Sequence, residues 1–286
     1  MKDFSGKVAV ITGAASGIGQ ALALELAKRG SVLALADRDM AGLTNTQQLV
    51  IDLGATCSLH ALDVADRAAV EAFALDVVAQ HGGVHLLFNN AGVTLIDSIS
   101  NLKYDDFEWL MNINFWGVVY GTKAFLPHLR KADEAHIVNI SSLFGLLSLP
   151  LQGAYNASKY AVRGFTEALK MELAGSSVAV SSVHPGGIKT AIAANARVSQ
   201  ESLAMPKEKL LADFSAVAKT TPEKAAQVII RGIEKKRRRI LVGSDAKFMD
   251  WVVRLFPGSY EKFLGLEKSV LVKRKADSAA LPSADA

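Results

Sequence analysis

Lys7-Val8-Ala9-Val10-Ile11-Thr12-Gly13-Ala14-Ala15-Ser16-Gly17-Ile18-Gly19 is the stretch that decides the architecture of this chain. Val8 to Ile11 is a short apolar run, rich in β-branched residues, of the kind that forms a strand buried on both faces. The glycines then end the run and open a helix that continues to about Arg29. Glycine in such a turn permits a tight reversal and lets a pyrophosphate approach the backbone at the helix N-terminus. The spacing, G-x-x-x-G-x-G, is carried by Gly13, Gly17 and Gly19, with Ser16 and Ile18 between them. An ordinary strand-to-helix loop is the alternative reading, and the position after a first strand argues against it.

Outward from this unit, short aliphatic runs alternate with longer amphipathic ones. Strands are expected at residues 7–12, 31–36, 56–62, 84–89, 135–140, 178–183 and 239–242. Helices are expected through about Leu53, from Asp66 to about Gln80, from Tyr104 to about Arg130, and over residues 152–173. Such alternation predicts an α/β fold: a doubly wound parallel sheet of about seven strands with helices on both faces. Ligands bind such sheets at the carboxyl ends of the strands. One domain is expected over residues 1–272, with a substrate lid at 189–220, a C-terminal helical extension at 243–272 and a disordered polar tail at 273–286. Ile192, Leu203, Met205, Leu211 and Phe214 are the lid's apolar residues. In the extension Phe248, Trp251, Val252, Leu255 and Phe256 repeat at helical spacing, a stripe expected to pack on the domain.

Composition narrows the function classes. The chain has 286 residues, half of them hydrophobic, and 32 basic against 28 acidic side chains, a net charge of +4. So mild an excess does not argue for a nucleic-acid partner, and residues 235–239 (K-K-R-R-R) read as a solvated helix end. No apolar run is long enough for a membrane span and no leader is evident, so a cytoplasmic protein is expected. The single cysteine, Cys57, excludes an internal disulfide. The six histidines are scattered and have no cysteine partner, so no metal site is expected.

Acidic and amide residues stand where a dinucleotide would need them. Asp37 ends the second strand, eighteen residues after Gly19, and suits the adenosine ribose hydroxyls. It also repels a 2′-phosphate, which favours NAD. Arg38 follows directly and keeps NADP open, although the glycine turn offers no second basic residue. Asp63 and Val64 end the third strand, at the sheet edge where an adenine would lie. Asn89, Asn90, Ala91 and Gly92 end the fourth and would let a flat ligand approach the backbone.

Tyr155 and Lys159 lie four residues apart in Y-N-A-S-K, one helical turn, so the ammonium falls beside the phenol. A neighbouring cation favours phenolate and is expected to lower the tyrosine pKa, making it an acid/base for an alcohol or carbonyl. A lone pair with this spacing is weak evidence, since most such pairs are surface residues.

Taken together, these motifs resemble the short-chain dehydrogenase/reductase family in its single-domain, Rossmann-fold branch. T-G-A-A-S-G-I-G, N-N-A-G, I-S-S, Y-N-A-S-K and P-G-G-I-K-T occur in family order over residues 7 to about 190. The resemblance implies Tyr155 as general acid/base and Lys159 as its modulator and nicotinamide-ribose ligand. It implies Ser142 as the hydrogen bond to the substrate oxygen, the thirteen-residue interval to Tyr155 choosing it over Ser141. It implies Asn114, rather than Asn112, as the holder of a water that connects Lys159 to solvent. Pro185, Gly186, Ile188 and Thr190 would lie along the nicotinamide side, with the Ile188 backbone on the carboxamide and Thr190 near the pyrophosphate. The implied activity is hydride transfer between NAD(P) and a secondary alcohol or ketone, in a homodimer or homotetramer. Leu143, Phe144, Leu146, Leu147, Leu149 and Leu151 follow Ser142. If they line the pocket, the substrate is hydrophobic and bulky; if they pack core or an interface, they carry no such information. An NADPH-dependent carbonyl reductase and a non-catalytic cofactor-binding regulator are the alternatives.

Overall fold

A computed structural model describes residues 1–199, 206, 208–209, 212 and 218–264. Seven parallel strands form one sheet in the order β3-β2-β1-β4-β6-β7-β9: β1 (Val8–Thr12), β2 (Val32–Asp37), β3 (Cys57–Ala61), β4 (Leu86–Asn89), β6 (Ala135–Ile140), β7 (Val178–Pro185) and β9 (Arg239–Val242). The doubly wound sheet expected from the alternation is therefore the fold. Its core sits on both faces because strand side chains alternate. Ala9 and Ile11 of β1 join Leu22 and Leu26 of α1 (Gly17–Ala27) and Ile229, Ile230 and Ile233 of α7 (Pro222–Glu234). Val8 and Val10 point the other way, onto Phe73 and Val77 of α3 (Arg67–His81) and Phe125 of α5 (Gly117–Leu129). Burial on both faces is why these strands are continuous apolar runs instead of alternating ones.

Local chemistry sets the helix ends. Asp39 caps α2 (Met40–Asp52) by accepting from Gly42 N at 3.0 Å, and Asp66 caps α3 by accepting from Ala69 N at 3.1 Å. Chain order reverses between β1 and β4: β2 lies on one side of β1 and β4 on the other. A crevice opens there at the carboxyl ends of the strands, and the candidate site occupies it.

Three features depart from expectation. The long helix at 104–130 is interrupted: α4 (Tyr104–Met111) runs through a π turn, Asn112–Trp116, into α5. A second, two-stranded parallel sheet pairs β5 (Leu95–Ile96) with β8 (Arg197–Val198), fastening the start of the expected lid. Arg197 adds a 2.6 Å ion pair to Asp106 and lies 3.5 Å above the Trp109 ring centroid. The expected stripe on α8 (Ser244–Leu255) does not pack as a whole. Ala246, Met249, Asp250 and Val252 are buried, whereas Phe248, Trp251, Leu255 and Phe256 are exposed. Of the two readings left open for the apolar run after Ser142, packing is the one that fits: Leu147 packs on Met249 and Val252 of α8, with Leu143, Phe144 and Leu149 beside it, and the leucines are absent from the lining of the crevice. Leu203, Met205, Leu211, Phe214, residues 265–272 of the expected extension and the 273–286 tail lie outside the described residues.

Candidate active site

The crevice is a cleft of about 330 Å³. Its floor is glycine because nothing else fits. A Cβ on Gly13 (φ +68°) would stand 2.9 Å from Ala91 Cα, and one on Gly19 would stand 2.0 Å from Gly13 O. Ser16 makes no side-chain cap bond to α1 and the first turn carries no acidic residue, so the helix presents free N–H groups to the cleft. A Cβ on Gly17 would lie 3.1 Å from Thr190 Cγ2, which brings Thr190 over the same turn. These donors, without side-chain bulk or negative charge, fit the pyrophosphate of a dinucleotide.

Asp37 is held by the turn it serves. Its Oδ2 accepts from Ala15 N at 3.0 Å and its Oδ1 from Asp39 N at 3.1 Å. Arg38 reaches away to an exposed ion pair with Asp63, 3.6 Å long. Asn90 donates through Nδ2 to Thr12 O at 2.9 Å and Gly13 O at 3.1 Å, so its amide clamps β4 to the glycine turn. Thr12 Oγ1 completes the clamp by accepting from Asn90 N and Ala91 N. Val64 lies further along the cleft wall.

Tyr155 and Lys159 project from α6 (Gly153–Glu172), both buried, and Ser142 follows β6. The Ser142 side chain lies close enough to the Tyr155 phenol to favour its ionised form. Burial dominates, however, and pushes the phenol up to about 12, while Ser142 pulls the other way. Burial pushes the Lys159 ammonium down to about 8. Burial thus reverses the expected lowering of the tyrosine pKa; Lys159 Nζ donates to Ile140 O at 3.1 Å and lies 5.6 Å from the phenol ring centroid.

Asn114 sits inside the π turn and is fully buried. Its Oδ1 accepts from Val93 N at 2.8 Å; its Nδ2 donates to Val93 O at 2.9 Å and Ser158 Oγ at 3.1 Å. The side-chain amide is therefore a bracket that holds the strand-four loop, and a water relay would need its main-chain carbonyl. Asn112 is exposed. A Cβ on Gly92 would stand 3.4 Å from Lys159 Nζ, so that backbone lies directly against the ammonium.

Beneath these groups runs a polar network in which Asn89, singled out as a strand-end amide, bonds to residues that the sequence did not single out. Asn89 Nδ2 donates to Asn139 Oδ1 at 2.8 Å and Thr122 Oγ1 at 3.1 Å, and Asn139 Nδ2 donates to Thr166 Oγ1 at 3.0 Å. It ties α5 and α6 to β4 and β6; its sequence signal is polar residues at the buried positions of apolar strands. His184 is likewise buried, bonded to Ser142 O at 2.9 Å through Nδ1 and to Ser182 Oγ at 2.8 Å through Nε2. A carbonyl only accepts, so Nδ1 carries the proton and Nε2 accepts from Ser182.

Of the residues singled out in the sequence, Gly13, Ser16, Gly17, Ile18, Asp37, Arg38, Asp63, Val64, Asn90, Ala91, Gly92, Ser142, Tyr155, Lys159, Pro185, Gly186, Ile188 and Thr190 line the cleft; Gly19 and Asn114 stand behind its wall. Val93, Thr94, Ile192 and Asn195 also line it and carried no motif.

The family model for short chain dehydrogenases matches residues 7–201. A Mycobacterium tuberculosis (strain ATCC 25618 / H37Rv) protein designated SadH, an oxidoreductase by name, is 48% identical over 92% of this chain and 96% of its own length. Among solved structures, a short chain dehydrogenase/reductase from Burkholderia phymatum in complex with NAD is 32% identical, with a TM-score of 0.82, over 98% of this chain and all of that one (100%). An alcohol dehydrogenase from the archaeon Thermococcus sibiricus, complexed with 5-hydroxy-NADP, is 27% identical, with a TM-score of 0.71, over 83% of this chain and 96% of that one.

Proposed function

This chain belongs to the short-chain dehydrogenase family, and from that premise we propose that it is a nicotinamide-dependent oxidoreductase that interconverts a secondary alcohol and its ketone. The observation that carries the reading is the convergence of Tyr155, Ser142 and Lys159 on a cleft floored by the glycine turn. Gly13, Ser16, Gly17, Ile18 and Gly19 would hold the pyrophosphate, with Thr190 over it. Asp37 would hold the adenosine ribose, with Asp63 and Val64 flanking the adenine. Asn90, Ala91 and Gly92 would border the nicotinamide half, with Pro185, Gly186 and Ile188 on the carboxamide. When bound, the dinucleotide supplies the hydride acceptor or donor.

The chain's own residues manage the proton. Ser142 donates to the substrate oxygen and steadies the charge that develops on it. Tyr155 gives a proton to that oxygen in reduction and takes it in oxidation. At a pKa of about 12 the phenol is protonated at neutral pH, ready to act as the acid. Acting as a base requires nearby positive charge, and Lys159, with its ammonium 5.6 Å from the phenol ring centroid, is the side chain placed to supply it. Asn114 holds Gly92 and Val93 against Lys159, and its main-chain carbonyl is the group left for a water contact.

NAD is the cofactor favoured by Asp37, which the turn holds in place, and by Arg38, which is turned toward Asp63. A hydrophobic substrate is supported by Val93 and Ile192 in the cleft. Exposed Trp116 and Met171, on the π turn and α6, suit pairing of two copies. The test is oxidation of cyclic, aromatic and steroid secondary alcohols by wild type and Tyr155→Phe. Wild type should turn over lipophilic members, and the variant should lose at least about a hundredfold in kcat. Turnover intact in Tyr155→Phe, or confined to small charged substrates, refutes the corresponding part of the proposal.

A further inference from the structure

A single residue, Gly243, separates β9 from helix α8, whose second residue, Asp245, is half-buried and turned toward the site. Asp245 Oδ2 accepts from Gly187 N at 2.7 Å. Two glycines make room for that carboxylate. A Cβ on Gly186 would stand 2.1 Å from Asp245 Oδ2, and a Cβ on Gly243 (φ +103°) would stand 2.2 Å from Oδ1.

The turn that Asp245 reaches is the one after β7, Gly186 to Lys189. Two glycines in succession leave such a turn free to rotate, so its order must be imposed by neighbours. Gly186 N donates to Val242 O at 2.9 Å, Gly187 N to Asp245, and Lys189 N to Thr220 O at 2.9 Å. Thr220 N returns a bond to Gly187 O at 3.2 Å. Ile188 N–H is left without a partner among the described residues. Ile188 bridges Thr220 through its neighbours, so its own N–H points the opposite way, and the residue lines the cleft.

We propose that Asp245 is a positioning residue: by locking the Gly186–Gly187 peptide it presents Ile188 N–H to the nicotinamide carboxamide, and α8 belongs to the cofactor site through this one carboxylate. The proposal rests on the reading of the cleft as a nicotinamide dinucleotide site. It gives the C-terminal extension a task that its exposed aromatic face does not reveal.

The experiment compares a probe that has the nicotinamide with one that lacks it. Purified full-length wild type, Asp245→Ala and Asp245→Asn are titrated with NADH or NADPH, whichever wild type binds more tightly, using tryptophan-to-cofactor fluorescence. ADP-ribose, or its 2′-phosphate, is then titrated by competition. Asp245→Ala should weaken the reduced dinucleotide about tenfold and leave ADP-ribose within about twofold. Asp245→Asn, whose amide oxygen still accepts, should stay within about threefold of wild type. Gly186→Ala, which drives a methyl into the carboxylate, should weaken the same probe, and Gly186→Ala/Asp245→Ala should be no weaker than Asp245→Ala alone. Equal binding of the reduced dinucleotide by wild type and Asp245→Ala overturns the proposal. So does parallel loss of both probes with a lowered Tm, which marks a purely structural residue. If wild type binds neither dinucleotide, the underlying reading fails and takes the proposal with it.

Discussion

Lys159 Nζ lies 5.6 Å from the centroid of the Tyr155 ring, yet its hydrogen bond goes to the main-chain oxygen of Ile140. Helical spacing put the two side chains on one face, as i,i+4 geometry requires. Spacing does not determine which group the ammonium bonds. Burial opposes ionisation of both, raising the phenol and lowering the ammonium. The fold thus works against the charge of both members of the pair.

Lys159 should cost stability for that reason. Its folded pKa of about 8 lies below the ordinary lysine value of 10.5, so between them the unfolded chain holds a proton that the folded chain has released. Stability contributed by this group rises with pH through that window, and below pH 8 the charged side chain is a liability. Lys159→Met should stabilise the ligand-free protein by about 1–3 kcal/mol at pH 7, part of the gain being offset by the lost bond to Ile140 O. The same variant should lose at least about a hundredfold in turnover. Urea unfolding at pH 7 and pH 9.5 checks this, with the gap between the proteins narrowing at the higher pH. A less stable variant at pH 7 would contradict it.

Two histidines should make the fold acid-labile. Burial pushes His184 down to about 4 and His136 to about 3, from the ordinary histidine value of 6.5. Each is neutral in the folded state while the unfolded chain takes up a proton. The stability they contribute is complete above pH 6.5 and is lost as pH falls through about 4. His184→Gln should lower the proton uptake on unfolding by about one near pH 5, measured from the pH dependence of the urea midpoint. It should also perturb catalysis, because Ser142 O loses its Nδ1–H donor. An unchanged slope near pH 5 would show that His184 is protonated without penalty.

The sheet could be read from the chain because its central strands are buried on both faces, which leaves few alternatives for runs such as Leu86–Asn89 or Ala135–Ile140. The β5–β8 pair could not, since two-residue strands a hundred positions apart carry no periodicity. The π turn at Asn112–Trp116 was hidden for a related reason: one widened turn does not disturb the apolar pattern on either side. On α8 the heaviest side chains misled. Phe248, Trp251 and Leu255 share one face, but Ala246, Met249 and Asp250 share the buried one. Asp250 is there because Arg239 meets it at 2.9 Å, a pairing that no local pattern announces. In the site, motif residues that touch the cleft through backbone were legible. What Asn90 and Asn114 do with their amides was not, because those bonds run to Thr12, Gly13, Val93 and Ser158, distant in sequence.

Cofactor choice should turn on Asp37 and, behind it, Asp63. Asp37 Oδ2 is tied to Ala15 N, so its charge stays beside the turn where a 2′-phosphate would sit. Two like charges that close cost about 1–3 kcal/mol at the effective dielectric of a protein surface. Asp37→Ala should therefore lower kcat/KM with NAD and raise it with NADP, shifting the ratio about ten- to a hundredfold. Arg38 is the cation available to a 2′-phosphate, but Asp63 holds it at 3.6 Å. Adding Asp63→Ala should release Arg38 and move the ratio further toward NADP, an effect that high salt diminishes because the groups are exposed. Steady-state kinetics with both cofactors in the two variants decide the matter. A ratio that stays put in Asp37→Ala would place the discrimination elsewhere in the cleft.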